Sequence, residues 1–308
     1  MEDKTSEYYC QWISSRGLLK SCDIYNRNPI SSSRHIDSDY LNRINDYSIV
    51  HICSWLTITI FVNTIVPNLN KKIIVVSNDS DMDAPIFEKP VGKGDEIAKD
   101  KILDFINSDL CIHWFTQNCT LDHPKVTPIP IGMDYHTFSR QMNCISQEKI
   151  LNSIKSISKP FFERQIKCYA NHHFKMNGKY YTQERLDCCN EILKELVYYE
   201  PQSVSRDITW QKQTEFAFVL SPAGGGMDCH RTWEAILLGC IPIVRKLNPV
   251  FDKIYEDLPI LVVDKWSDIT QELLNKTVEE FKNPYKKSFK MEKITLGYWR
   301  NLFKSYKK

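Results

Sequence analysis

The segment Phe216–Lys246 (FAFVLSPAGGGMDCHRTWEAILLGCIPIVRK) constrains the fold more than any other part of the chain. Its first five residues are an apolar run typical of a strand buried in a parallel sheet. Three consecutive glycines, at 224–226, then let the backbone adopt positive φ and let a ligand approach closely. A helix ended by Gly239 and a second buried strand at 241–244 complete a predicted strand–loop–helix–strand unit.

The junction between the glycine loop and this helix has the features of an anion site. Free N–H groups and the positive end of the helix dipole point towards whatever lies there. The helix is predicted to begin at Asp228 or Cys229, which places His230 and Arg231 in its first turn and Glu234 one turn later, within reach of a sugar hydroxyl. The alternative is an ordinary βαβ unit with a solvated first turn, because the glycine spacing matches neither GxxxxGK[ST] nor GxGxxG.

Composition narrows the class of protein. The 308 residues carry a formal net charge of +2, so the chain lacks the excess of basic residues that is typical of nucleic-acid-binding proteins. The odd number of cysteines, eleven, and the polar start of the chain predict a cytoplasmic protein with reduced thiols. The most apolar stretch, 49–66, contains His51 and Asn63, so we predict a strand and a helix there and no membrane span.

Strands and helices alternate along the sequence, which predicts an α/β protein of two Rossmann-like, doubly wound domains facing a cleft. The predicted strands lie at 48–53, 72–77, 109–114, 125–131, 165–170, 196–199, 216–220, 241–244 and 258–263. The predicted helices lie at 55–66, 100–107, 146–158, 181–193, 268–282 and 293–306. The predicted domains are an N-terminal arm (1–46), an acceptor-side domain (47–150), a donor domain (151–292) and a C-terminal helix that packs back on the first domain (293–308).

Two stretches of the second half, FVLSPAGGGMDCHRTWEAILLGCIPIV and LPILVVDKWSDIT, carry a resemblance to a known family. They resemble the exostosin-like glycosyltransferases of the GT-B fold (family 47), near the ribitol xylosyltransferase branch. The segment IPIGMDYHTF at 129–138 is similar to the one that closes the first domain in many GT-B enzymes. The first half departs from the family because it has no recognisable acceptor module and no signal anchor of the secretory members.

The resemblance implies that the chain transfers a sugar from a nucleotide-sugar donor, expected to be a UDP-sugar, to a hydroxyl of a glycan, polyol or protein. Inversion at the anomeric carbon is expected, without a metal or resident cofactor. Glu234 would bind the ribose hydroxyls, and the glycines and Arg231 would neutralise the diphosphate. The whole implied donor-binding set is Ser221, Gly224, Gly225, Gly226, His230, Arg231, Glu234 and Arg185. Arg185 has an alternative role as a surface arginine paired with Glu184 or Asp187.

The catalytic base is expected in the first half, where the acidic loop SNDSDMD directly follows the strand at 72–77. An inverting transfer needs a group that accepts the proton of the acceptor hydroxyl. Asp79 and Asp81 are the candidates, and an acid-rich turn without catalytic function is the alternative. Counted from Asp79, the loop does not match an EF-hand, since position six is Ala84 and position twelve is Pro90. Asp134, Tyr135 and His136 are weaker candidates for the base.

Acceptor-side residues are expected at the end of the next strand. His113, Trp114, Gln117 and Asn118 lie there, and the two amides could bind acceptor hydroxyls. Trp114 could stack on a sugar face, or it could be a core aromatic residue.

Metal binding is not predicted. The pair His172-His173 is a possible start of a zinc site, but no second ligand pair has suitable spacing.

Two other functions stay open at this level. One is a non-catalytic nucleotide- or glycan-binding relic of a transferase. The other is a different enzyme of the same architecture, such as an epimerase or a phosphorylase, for which Lys246 is the nearest lysine after the glycine loop.

Overall fold

The computed structural model describes residues 4, 6–53, 55–87, 95–137, 141–172 and 181–307. Contacts divide the chain into two compact units. The first unit comprises Met1–Ile131, Asn248–Ile254 and Thr295–Lys308, and the second comprises Gly132–Leu247 and Tyr255–Ile294. Each unit contains one parallel β-sheet with helices packed against it, so the chain is an α/β protein.

The strands form where apolar runs are continuous. Their ends differ from the predicted ones by at most three residues. The strands are β1 Ser48–Ile52, β2 Ile73–Ser77, β3 Cys111–Thr116, β4 Val126–Pro128, β5 Gln165–Ala170, β6 Val197–Tyr199, β7 Phe216–Leu220, β8 Ile241–Arg245 and β9 Leu261–Val263.

The helices include two that the sequence did not predict, α1 and α6. The bounds are α1 Ser15–Leu19, α2 Trp55–Ile60, α3 Asp95–Asn107, α4 Cys144–Ile157, α5 Thr182–Glu191, α6 Arg206–Gln213, α7 His230–Leu237, α8 Gln271–Phe281 and α9 Leu296–Ser305. A π-helical turn and a 3₁₀ turn extend α2 as far as Asn68, with Pro67 in the last turn.

The first sheet has the order β1-β2-β3-β4, and all its pairs are parallel. Alternate residues of each strand point to opposite faces, as the pleat requires. Ile49 and Ile74 pack with Phe303 of α9, whereas Val50 and Val75 belong to a separate cluster that includes residues of α2 and α3. The strand order follows the chain order, so these four strands contain no reversal of the kind that marks ligand sites in open α/β sheets.

The N-terminal segment is part of the first unit's core. Ile13 and Leu18 are fully buried in the same cluster as Ile49. Further along, Ile24 forms a parallel bridge with Val50 and donates its N–H to the carbonyl of Ile49 at 3.1 Å. Trp299 and Phe303 of α9 pack into this cluster, and Leu302 is partly buried beside them.

The second sheet has the order β6-β5-β7-β8-β9, again with every pair parallel. From β5 the chain first adds β6 on one side and then crosses to add β7 on the other. The strand order therefore reverses between β5 and β7, and the carboxyl ends of these strands flank a topological switch point, where open α/β sheets bind ligands. Gly239 follows α7 with a φ of 73°, which a glycine adopts without strain.

The cysteines are all free thiols, and all except the half-buried Cys189 and Cys229 are buried. Burial raises the pKa of Cys53, Cys111 and Cys119 to about 12, so these thiols stay protonated at neutral pH. Of the helices in the described part of the chain, none has the length and hydropathy that crossing a membrane requires.

Candidate functional site

The glycine loop leaves the second sheet at the carboxyl end of β7, beside the switch point. Ser221 continues the ladder by donating its N–H to the carbonyl of Ile243 at 2.9 Å. Its hydroxyl lies 2.8 Å from the hydroxyl of Thr232 in the first turn of α7. These two contacts fix the start of the loop relative to both the sheet and the helix.

Two arginine side chains converge on this loop. Arg185 of α5 donates from Nε to the carbonyl of Ala223 at 3.3 Å, and Arg231 of α7 donates from Nη1 to the carbonyl of Pro222 at 3.3 Å. A Cβ atom at Gly224 would lie 2.4 Å from Nη2 of Arg185. The space that the glycine leaves is therefore taken by a guanidinium group of the protein.

Arg185 is buried, so it does not have the alternative role of a surface arginine. Its side chain is 6% exposed. The expected partners bind elsewhere, because Glu184 pairs with Arg245 and accepts from the indole of Trp266, and Asp187 accepts from Gln183. Arg185 and Arg231 thus bring two positive charges to four loop residues at the switch point.

Part of the expected anion site is occupied by groups of the loop itself. The N–H of Gly224 donates to the carbonyl of Gly226 at 3.0 Å, and the N–H of Cys229 donates to Oδ1 of Asp228 at 2.8 Å. The same oxygen accepts from the indole of Trp233 at 2.8 Å. A carboxylate of the protein therefore lies at the start of α7, which begins at His230, where the helix dipole favours negative charge.

Glu234 is engaged by protein donors. Oε1 accepts from Nη2 of Arg206 and from the N–H of Asp134, and Oε2 accepts from the indole of Trp210 at 3.0 Å. The residue is 5% exposed. Glu234 therefore ties α7 to α6 and to the loop that follows Gly132, and its expected binding of a ribose stays a prediction.

Arg206 and Trp210 were missed at the sequence level. They lie in α6, whose eight residues include only two large apolar side chains, Ile208 and Trp210, and give no helical pattern. A weak signal is Ser205, a residue type favoured at the N-cap, immediately before Arg206.

Arg206 also binds Asp134, which brings the two carboxylates of this cluster together through one guanidinium. Its Nη1 lies 2.7 Å from Oδ2 of Asp134. Burial alone would raise the pKa of the Asp134 carboxyl, but the hydrogen bond to His136 and the charge of Arg206 outweigh it and hold the pKa well below its usual range. Asp134 is therefore a carboxylate at neutral pH, which makes it a poor proton acceptor.

Two histidines lie beside Asp134. Nδ1 of His136 is 2.8 Å from Oδ1 of Asp134, and Nδ1 of His230 is 2.7 Å from the carbonyl oxygen of Gly132. Because a carbonyl only accepts, His230 carries its proton on Nδ1 and keeps a lone pair on Nε2. Burial lowers the pKa of His230, and Asp134 opposes this only in part. Sequence analysis had placed His230 at the donor and His136 among the weaker bases.

The proposed base of the first unit, Asp79, lies at the carboxyl end of β2 and is 8% exposed. Its carboxylate accepts from the hydroxyl of Ser31 at 2.9 Å and lies 3.5 Å from Nε of Arg16. Its φ of 67° is a left-handed conformation that aspartate tolerates in turns. These features favour the alternative role of an acid-rich turn. Asp81 is half-buried in the same bend.

Trp114 does not offer a ring face to a sugar, and the expected stacking role is corrected here. Its side chain is fully buried in the core, and its indole donates to the hydroxyl of Ser77 at 2.8 Å. His113 is also buried, with its ring packed near Phe115 and Tyr306. Trp114 and His113 point to opposite faces of the sheet, because side chains alternate along a strand. The two side chains therefore pack against different groups of residues.

Gln117 and Asn118 are buried and bind the protein's own backbone. The side-chain amides of both donate to the carbonyl of Ser80, at 2.9 and 3.3 Å respectively. Gln117 Oε1 accepts from the N–H of Asp79 at 3.3 Å. The two amides therefore hold the loop after β2, and their expected contact with acceptor hydroxyls stays a prediction.

Two predicted features fall partly outside the described residues. His173 of the histidine pair and Phe138 of the segment at 129–138 both lie there. Nε2 of His172, the other member of the pair, lies 3.4 Å from Sγ of Cys189.

No known protein family matches the chain, and no curated protein matches it either.

Proposed function

We propose that the chain is a glycosyltransferase of the GT-B type that uses a nucleotide-sugar donor, expected to be a UDP-sugar, and that its second unit binds the diphosphate. The observation that supports this is the convergence of Arg185 and Arg231 on the glycine loop at the switch point of the second sheet. Guanidinium groups bind phosphate oxygens through paired N–H donors, so two of them suit the two phosphates of a nucleoside diphosphate.

The chemistry of the transfer explains why cations would be placed there. Breaking the bond between the sugar and the diphosphate leaves negative charge on the leaving group, and fixed positive groups stabilise it in the transition state. Arg185 and Arg231 are held by backbone carbonyls of neighbouring residues, so their orientation is set before the donor binds. This arrangement requires no metal ion for charge neutralisation at the diphosphate.

A second function, nucleotide binding without turnover, is favoured by one observation. The proposed base Asp79 is paired with Arg16 and hydrogen-bonded to Ser31, so its carboxylate is poorly placed to take a proton from an acceptor. Hydrolysis or transfer with a panel of UDP-sugars separates the two functions, since a relic binds UDP and turns over none of the panel.

Calorimetric titration with UDP, UMP and uridine tests the binding step. We expect UDP to bind best, and Arg231→Ala to weaken it by about 10- to 100-fold, since a hydrogen bond to a charged group contributes about 1.5–3 kcal/mol. Lys276→Ala is the control, because it removes an exposed positive charge elsewhere in the same unit. Absence of nucleotide binding by the wild type, or equal affinities of the two variants, would rule the proposal out.

A further inference from the structure

The loop after Gly132 and the first turn of α7 bring together three side chains that can ligate a metal. Asp134, His136 and His230 each offer one ligand atom, and these atoms all lie within 4.8 Å of one another. We propose that these three residues form a binding site for a divalent transition-metal ion of the Zn²⁺ and Co²⁺ class. The site does not depend on the proposed function.

Hydrogen bonds between the two segments hold the site together without a metal. Nδ1 of His230 donates to the carbonyl of Gly132 at 2.7 Å, and the N–H of Asp134 donates to Glu234 at 3.3 Å. Arg206 binds both Asp134 and Glu234. The ligands are therefore supplied by a preformed framework, which lowers the entropy lost on binding an ion.

The orientation of His230 is the one found in metal-binding histidines. Such histidines donate one ring N–H to a backbone carbonyl or a carboxylate and bind the metal through the other nitrogen. In His230 the carbonyl of Gly132 takes the Nδ1 proton, which leaves the lone pair of Nε2 for an ion. The contact with Gly132 thus fixes both the tautomer and the direction of the ring.

The carboxylate of Asp134 is oriented by its surroundings. Oδ1 accepts from the backbone N–H groups of His136 and Thr137, both at 3.0 Å, and Oδ2 faces Arg206. Oδ1 is thus the oxygen turned towards His136. The positive charge of Arg206 weakens attraction for a cation, but Glu234 offsets it, because two carboxylates and one guanidinium leave a net formal charge of −1.

The ligand types indicate the class of metal. Two imidazoles and one carboxylate suit Zn²⁺, Co²⁺ or Fe²⁺, whereas Mg²⁺ and Ca²⁺ prefer sites made of oxygen atoms. Three protein ligands leave at least one position open, as in catalytic metal sites, for water or an oxygen of a bound molecule.

Binding requires small movements of the His136 and His230 side chains. Ligand atoms around a tetrahedral ion are about 3.3 Å apart, given metal–ligand bonds of about 2.0–2.1 Å. The imidazole of His136, 2.8 Å from Asp134, must therefore exchange that contact for the ion while His230 closes the remaining gap. The side chain of His136 is 57% exposed, so it can rotate without disturbing the core.

Titration of the full chain with Co²⁺ tests the site. We expect one equivalent to bind with an absorption spectrum of nitrogen and oxygen ligands, and His136→Ala to weaken binding at least about tenfold. His35→Ala is the matched control, since His35 is 58% exposed and also lies beside an aspartate, Asp37, at 4.0 Å. We expect that variant to bind Co²⁺ like the wild type.

Three outcomes would overturn the site. They are the absence of stoichiometric Co²⁺ binding, an intense thiolate charge-transfer band that assigns the ion to cysteines, and equal affinities of His136→Ala and wild type. His230→Ala adds a second variant, with circular dichroism to confirm that it folds. Because His136 is exposed, its variant decides the matter even if the His230 variant does not fold.

Discussion

Polar side chains lie at the carboxyl ends of the strands in both parallel sheets, but they make different contacts in the two units. In the first unit, Asp79, Gln117 and Asn118 bond to neighbouring loop residues and to Arg16, so negative and positive charges are paired. In the second unit, Arg185 and Arg231 both bind carbonyl oxygens of the glycine loop. The first arrangement stabilises a turn, whereas the second concentrates positive charge at the glycine loop.

Strand order accounts for part of this difference. The reversal between β5 and β7 makes the connections leave the sheet in opposite directions on either side of that point, an arrangement that in open α/β sheets creates a crevice for ligands. The first sheet runs in chain order. A polar residue at a strand end therefore indicates a binding site more strongly in the second sheet than in the first.

The largest effect that we expect concerns Trp114 in the first unit. Trp114→Ala should lower the free energy of unfolding by about 3–5 kcal/mol, because a fully buried indole and its hydrogen bond to Ser77 are lost. Trp55→Ala, a substitution of a half-buried tryptophan in the same unit, should cost clearly less. Urea unfolding measures both, and a cost below about 1 kcal/mol for Trp114→Ala would restore a surface role such as sugar stacking.

The second effect concerns Arg206 in the second unit. Arg206→Ala should lower the free energy of unfolding by roughly 2–3 kcal/mol, since it leaves the buried carboxylates of Asp134 and Glu234 without their shared cation. Lys212→Ala, on the same helix as Arg206, breaks an exposed pair with Glu215 and should leave the free energy of unfolding close to that of the wild type. Similar costs for the two variants would mean that the cluster adds nothing to stability.

A third, smaller effect is a loss of stability on acidification, which arises from different groups in the two units. Burial lowers the pKa of His51 in the first unit from 6.5 to about 4. Between these two pKa values, His51 is protonated in the unfolded chain but not in the folded one. The free energy of unfolding therefore rises with pH over this range and falls on acidification. From pH 7 to pH 5, His51 should weaken the first unit by up to about 2 kcal/mol.

Hydrogen exchange of peptides from each sheet, corrected for the intrinsic exchange rates, measures the loss of stability of each unit on acidification. Asp134 in the second unit has a lowered pKa, so its contribution is present above about pH 4 and is lost only at lower pH. His230, whose pKa burial also lowers, adds a change of the same sign as His51 in the second unit. In a His51→Gln variant, the acid-induced loss of protection in β1 should shrink, and an unchanged loss would assign it to other groups.

The strands were predictable because their apolar runs are continuous, as in Phe216–Leu220 and in Ile73–Ser77, of which the second is also rich in β-branched residues. Helix α6 was not, because its stability comes from tertiary contacts of Trp210 and Arg206 and not from a periodic pattern. The short helix α1 was hidden in a polar segment for the same reason.

The site was predicted in part. The position of Arg231 beside Ser221 follows from the local order of strand, loop and helix, which a sequence shows directly. The partners of Glu234 do not follow from this local order, since Asp134 and Arg206 are 100 and 28 residues away along the chain. Residue type alone could not separate Trp114 in the core from a tryptophan on a surface, because that depends on the helices that cover both faces of the first sheet.

A crystal structure of the full chain with UDP tests the central claim most directly. We expect the diphosphate to lie within hydrogen-bond distance, about 3 Å, of the guanidinium groups of Arg185 and Arg231 at the glycine loop. A diphosphate bound at the carboxyl ends of β1–β3, beside Asp79 and Gln117, or bound in the second unit without contact to either arginine, would contradict it.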